Sequence, residues 1–297
     1  MGAALAEASR AARDVFAEVD EALGQNLFRL MREGPEDELK LTENAQPAIM
    51  AHSLAVFAAL TKEGGVDLAR AANFVAGHSL GEYSALCAAG AFDLATTAKL
   101  LKLRGRAMQQ AVPVGEGAMA ALLGADLALA RRIAEVAAQG EVCTVANDND
   151  PSQVVLSGHK GAIDRAIEVA KEMGAKRAVP LPVSAPFHCP LMQPAAEAMR
   201  DALSYVVVDT PAVPVCANVT AQAESDPDTI RNLLVEQVTG MVRWRESVIN
   251  MGETGVEEFV EIGGRVLGPM VKRIAPDAKV SSVNSVDDVE ALAKEIA

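Results

Sequence analysis

The chain has 297 residues, more than one typical domain and fewer than three, which suggests a large domain carrying a smaller inserted one. Half the residues are apolar and 23% are charged, and 40 acidic against 27 basic side chains leave a formal charge of -13. That balance argues against broad nucleic-acid binding and against a polybasic membrane anchor.

Residues 5–23 read as a helix, Ala-rich and charged throughout, without the basic start and apolar centre of a signal peptide. A second helix is expected over 46–61, with Pro47 near its first turn. The short apolar run 73–76 reads as a strand ending at Gly77, and a helical pattern begins at Leu80. Strand, Gly-bounded turn and helix in that order indicate an α/β architecture with a mostly parallel sheet. Another helix covers 99–109.

The middle of the chain follows a different order. Strands are expected at 117–124, 142–147, 153–157 and 176–183, with helices at 127–139 and 161–173 and a turn cluster at Asp148, Asn149, Asp150 and Pro151. This is a βαββαβ arrangement of ferredoxin-like kind. It assigns 115–186 to an inserted domain and 1–114 with 187–297 to an α/β-hydrolase-like large domain. The large domain resumes with a helix near 194–204, strands near 213–217 and 258–261, and a helix over 266–274 after the Gly263-Gly264 turn.

The four cysteines, Cys87, Cys143, Cys189 and Cys216, form no CxxC pair and no zinc pattern. Buried free thiols in a reducing cytoplasm are the expectation, with no metal and no membrane span.

The chemistry centres on Gly77-His78-Ser79-Leu80-Gly81-Glu82, a G-x-S-x-G set between a strand and a helix. That context is the one a nucleophile elbow requires. The two glycines let the backbone bend and let strand and helix pack closely, and the bend exposes the Ser79 hydroxyl. The helix N-terminus offers the N–H of Leu80 to a developing oxyanion. A serine at its free pKa needs a base. His188, held between prolines in the stretch from Pro182 to Pro190, is the best candidate, with a satisfied loop histidine as the plain alternative. His52 reads as a packing or surface residue and His159 as a solvated one. His78 adjoins the nucleophile but points elsewhere in an elbow, so it reads as structural or substrate-lining rather than as the base. No histidine follows His188, which departs from the Ser, acid, late-His order of ordinary α/β-hydrolases. Arg104 is a candidate clamp for a substrate carboxylate, weighed against an ordinary solvated helix arginine.

GHSLGEYSAL, LRGRAMQ, PLPVSAPFHCPLM and QVTGMVRW, in this order, resemble the malonyl-CoA:acyl carrier protein transacylases of dissociated fatty-acid synthesis. The resemblance implies Ser79 as nucleophile, His188 as base, Leu80 as an oxyanion donor and Arg104 as the ligand of the malonyl carboxylate. It further implies that the backbone carbonyl of Gln237 orients His188, and that bulky Phe187 leaves little space for an α-methyl branch. Malonyl-CoA and acyl carrier protein are then the partners, in the cytoplasm, with no cofactor, and the kinetics are ping-pong. Family members usually begin with an apolar strand and a Gly-Gln-Gly-Ser-Gln loop that supplies a second oxyanion N–H. Met1-Gly2 corresponds to the residues just after that loop, and the motif occurs nowhere in the sequence. Either the start lies upstream, or this form lacks the strand and the donor. The alternatives are a serine thioesterase or hydrolase using the same dyad, and a truncated, inactive form that binds carrier protein. Lys272, Arg273, Arg243 and Arg245 are the candidates for a basic carrier-protein patch, with ordinary solvated charges as the alternative.

Overall fold

The computed structural model describes residues 1–183 and 185–296. Helices α1 (Ala3–Ala8) and α2 (Arg10–Leu23) replace the single expected helix. The break is at Ser9, whose backbone is extended and whose hydroxyl accepts the Ala12 N–H at 3.0 Å, so this serine caps α2 rather than continuing α1. Two short helices follow, α3 (Leu27–Glu33) and α4 (Glu36–Lys40), neither of which the sequence pattern had suggested. Then comes α5 (Thr42–Ala58), which closes in a π turn at Ala59–Glu63. The expected helix start at 46 is therefore four residues late, and Pro47 lies inside α5 rather than in its first turn.

After α6 (Leu68–Ala71), β1 (Val75–Ala76) leads into α7 (Leu80–Ala88) and α8 (Leu94–Gln110). The chain then forms β2 (Gly117–Leu123), α9 (Leu127–Ala138), β3 (Cys143–Asp150), β4 (Gln153–His159), α10 (Lys160–Glu172) and β5 (Arg177–Pro180). These four strands make one antiparallel sheet in the order β3-β4-β2-β5. The side-chain period of two sorts its faces. Ala120, Leu122, Val154 and Leu156 turn to α9 and α10, and Met119, Ala121 and Val155 turn to a separate cluster that includes Leu181 and Phe187. The helices present alanines to this sheet (Ala130, Ala134, Ala162, Ala166), which allows close packing without aromatic residues.

The remaining elements are α11 (Gln193–Ser204), β6 (Val215–Cys216), β7 (Ala223–Glu224), α12 (Pro227–Thr239), α13 (Trp244–Glu253), β8 (Glu258–Ile262), α14 (Leu267–Ile274), β9 (Lys279–Val283) and α15 (Val286–Ile296). Parallel pairing is present between β1 and β6 and between β8 and β9, while β7 runs antiparallel to β6. The expected parallel sheet is thus realised as short ladders inside a largely helical body. Its main core joins α2, α5, α7, α8, α11 and α12 through residues such as Phe16, Met50, Leu86, Leu101, Met199 and Leu234.

Asp148, Asn149 and Asp150 correct the expected turn. They continue β3 as buried strand residues, and the turn begins at Pro151. Their side chains point into the seam with the rest of the molecule. Arg245 meets Asp148 at 2.9 Å and Arg273 meets Asp150 at 2.7 Å, while backbone bonds tie Val242 to Ala146 and Asp148. Acids that a turn would expose are here counterions. The proposed basic patch is corrected by the same contacts. Arg245 and Arg273 are bound to these acids and Arg243 to Glu246, so three of the four charges are compensated within the chain, while the Lys272 ammonium donates to the neutral Ala278 carbonyl.

Candidate active site

The elbow lies between β1 and α7. Ser79 has φ 54° and ψ -110°, a left-handed conformation that costs a non-glycine residue of order 1–3 kcal/mol and is typical of functional turns. Gly77 is required by close approach, since a Cβ there would lie 2.0 Å from the carbonyl carbon and oxygen of Gly81. At Gly81 a Cβ would meet nothing within 4 Å, so close packing rests on Gly77 and on the Gly81 backbone, not on both missing side chains. Gly77→Ala is expected to cost about 3 kcal/mol, because backbone atoms cannot move aside as a side chain would. A denaturant titration checks this, with Gly81→Ala as the milder comparison.

The Ser79 hydroxyl is 2.8 Å from Nε2 of His188. His188, also left-handed at φ 56°, sends Nδ1 to the backbone carbonyl of Gln237 at 2.8 Å. That bond makes Nδ1 the protonated nitrogen and leaves Nε2 free to accept the serine proton. Burial, reinforced by the positive charge of Arg104, lowers the His188 pKa to about 3. The ring is therefore a neutral base at pH 7. The unfolded chain takes up this proton near the ordinary histidine value and the folded chain only near 3, so the site withdraws stability as pH falls through that interval. An NMR titration is expected to find the His188 ring neutral down to pH 5, and a midpoint above 6 would contradict the burial argument.

Arg104 on α8 is 1% exposed, which corrects the solvated-helix alternative. Its guanidinium donates to Ser79 Oγ at 3.1 Å, to Gln46 Oε1 at 2.8 Å and to Gln237 Oε1 at 2.7 Å. It also stands over the Tyr83 ring, 5.7 Å from the centroid, and its buried Nε has no hydrogen-bond partner. A buried cation held by neutral groups beside the Ser79 hydroxyl retains capacity for an anion. Leu80 is the first residue of α7, so its N–H has no intrahelical acceptor and remains available to an oxyanion.

The other expected residues separate. Phe187 is half-buried between the main core and the apolar cluster of the antiparallel sheet. His78 turns to that sheet instead, with Nε2 2.9 Å from Asn149 Oδ1 and its ring tilted against Trp244. His52 is half-buried on α5, and His159 accepts the Val142 N–H at 2.9 Å rather than standing free in solvent. Three polar residues of the site were missed in the sequence. Asn218 accepts the Ser79 N–H at 2.8 Å and donates to the Gly77 carbonyl at 2.7 Å, bracing the elbow from both sides. Gln46 holds Arg104, and buried Glu82 accepts from the Gln237 side chain at 2.6 Å. Asn218 directly follows the apolar run 212–217, which was an available signal, whereas Gln46 and Glu82 stand among other polar residues and carried none. All four cysteines are free thiols. Among the described residues no group of three or more His, Cys, Asp or Glu could hold a metal, and no helix is long and apolar enough to cross a membrane.

The family model described as an acyl transferase domain matches residues 1–273. The chain belongs to this acyl transferase family. It is 44% identical over 272 residues to the malonyl CoA-acyl carrier protein transacylase of Escherichia coli (strain K12), covering 91% of this chain and 87% of that protein. The Bacillus subtilis (strain 168) protein of the same name is 42% identical over 292 residues, covering 98% and 90%. Among solved structures, the acyl-carrier-protein S-malonyltransferase from Bartonella henselae superposes with a TM-score of 0.97 at 52% identity, covering 100% of this chain and 94% of that one. A malonyl-transacylase in complex with a type II polyketide acyl-carrier protein superposes at 0.95 with 40% identity, covering 99% and 94%. This acyl transferase therefore shares both sequence and α/β fold with S-malonyltransferases along nearly its whole length.

Proposed function

We propose that this acyl transferase moves the malonyl group from malonyl-CoA to the phosphopantetheine thiol of acyl carrier protein, through a malonyl ester on Ser79. The observation that carries the reading is the buried Arg104 guanidinium within hydrogen-bond reach of the Ser79 hydroxyl, in a family whose matched relatives are malonyl transacylases. In malonyl-CoA one methylene separates the thioester carbonyl from the free carboxylate. A carbonyl over Ser79 thus brings the carboxylate to the neighbouring guanidinium, while an acetyl group brings nothing to it.

The steps follow from the hydrogen bonds. His188 Nε2 takes the Ser79 proton as Oγ attacks the thioester carbon, and the Gln237 carbonyl stabilises the imidazolium through Nδ1–H. The Leu80 N–H receives the oxyanion. Collapse expels the CoA sulfur, which leaves with the proton from His188. The carrier-protein thiol then gives its proton to His188, attacks the malonyl ester, and releases Ser79 as the proton returns to Oγ. Phe187, next to His188, is assigned to narrowing the acyl space, and His78 to fixing the elbow against the antiparallel sheet.

In this reading residues 1–114 and 187–297 form an α/β-hydrolase-like large domain, and 115–186 form a ferredoxin-like insertion. The β3-β4-β2-β5 order and the insertion's own core support the division. Free cysteines fit a cytoplasmic enzyme of fatty-acid synthesis. Initial rates with malonyl-CoA and holo-acyl carrier protein test the proposal. Parallel double-reciprocal lines and malonyl-carrier product support it. Free malonate as the main product would favour a thioesterase.

A further inference from the structure

Glu82 lies one turn beyond Ser79 on α7 and is 2% exposed, yet among the described residues no lysine or arginine hydrogen-bonds its carboxylate. Burial pushes its pKa up to about 7, against the opposing pull of its hydrogen bonds and of Arg104. Burying an acid on neutral partners is costly, so its contacts are informative. The Gln237 side-chain N–H donates to Glu82 Oε2 at 2.6 Å, the shortest bond this amide makes, and to the Ser79 carbonyl at 3.0 Å. The Gln237 Oε1 in turn accepts from Arg104 at 2.7 Å. Chemistry permits only this orientation. Arg104 has only donors and the Ser79 carbonyl is only an acceptor, so a reversed amide would set donor against donor at Arg104 and acceptor against acceptor at Ser79.

Resting on the malonyl-transfer reading, we propose that Glu82 and the Gln237 side chain form a positioning relay: the carboxylate anchors the amide, and the amide oxygen holds the Arg104 guanidinium against Ser79, which sets preference for acyl groups bearing a carboxylate. Glu82 touches no reacting atom; it also accepts the Asn218 backbone N–H at a long 3.4 Å, and its short bond to Gln237 is the one through which it acts. Gln237 accordingly has two separable parts, a backbone carbonyl for His188 and a side chain for Arg104.

The test is the ratio of kcat/KM for malonyl-CoA to that for acetyl-CoA in a double-mutant cycle. Glu82→Met is expected to lower the ratio at least 10-fold, mainly through the malonyl-CoA KM. Glu82→Gln, which keeps an acceptor, is expected to stay within 3-fold of wild type. Gln237→Met, which keeps the backbone carbonyl, should reproduce the loss, and adding Glu82→Met to it should change the ratio by less than 2-fold. A merely structural role would lower both substrates together and leave the ratio unchanged, and that result overturns the relay. So does a full further loss in the double variant. Should Glu82→Met fail to fold, Gln237→Met decides alone, because an unchanged ratio removes the link through which Glu82 acts. Wild-type enzyme that transfers no malonyl group would instead refute the underlying reading.

Discussion

Replacing Arg104 by Ala is expected to lower kcat/KM for malonyl-CoA by about 10²–10³-fold, a loss of ~3–4 kcal/mol of transition-state stabilisation, and to cost acetyl-CoA far less. The expectation rests on burial. An exposed arginine paired with a carboxylate contributes little, because water screens both charges. Arg104 is buried, its direct partners are two amide oxygens, the serine hydroxyl and an aromatic face, and none of these carries a full negative charge. A malonyl carboxylate entering this site gives the guanidinium its first directly bonded anion, and removing the guanidinium strands that carboxylate in a desolvated space. Acetyl has no such group, so its loss is limited to the Arg104 contacts with Ser79 and Gln237. Steady-state kinetics with the two thioesters measure the difference, and equal losses for both would contradict the clamp.

His188→Ala is expected to lower turnover by about 10³–10⁶-fold, the range seen when a serine loses its base. In the proposed mechanism the base is built in advance. Its tautomer is fixed by a carbonyl rather than by a carboxylate, its pKa is lowered by burial and by Arg104, and the serine is already at hydrogen-bond distance. A carbonyl partner orients the ring without the full ionic stabilisation an aspartate would give the imidazolium. The neutral ring thus stays ready at pH 7, and its protonated form exists only during the transfer. Single-turnover acylation measures the effect, and a loss below 10-fold would show that another group takes the proton.

The elbow was legible in sequence because its requirements are local: glycines bounding a serine, with a strand before and a helix after. His188 was legible because prolines surround it, although its left-handed backbone was not anticipated. The four strands of the antiparallel sheet and their two helices were legible as well, since alternating short strands and two amphipathic helices keep their partners within about 70 residues of chain. What escaped was non-local. Asp148, Asn149 and Asp150 have the composition of a turn, and only the arrival of Arg245, Arg273 and His78 makes burying them tolerable. Glu82 has the position of an acid that complements a helix N-terminus, and its partner Gln237 lies 155 residues away. Asn218 reaches the elbow from a separation of 139 residues. The break between α1 and α2 was missed because an extended Ser9 leaves the apolar period almost intact on either side.

Intact-protein mass spectrometry after incubation with malonyl-CoA, followed by addition of holo-acyl carrier protein, decides whether Ser79 carries the malonyl group. One added malonyl group is expected, mapping to Ser79, absent in Ser79→Ala, and passing to the carrier-protein thiol. A carrier protein malonylated at the wild-type rate by Ser79→Ala, or an enzyme that never acquires the adduct, would contradict it.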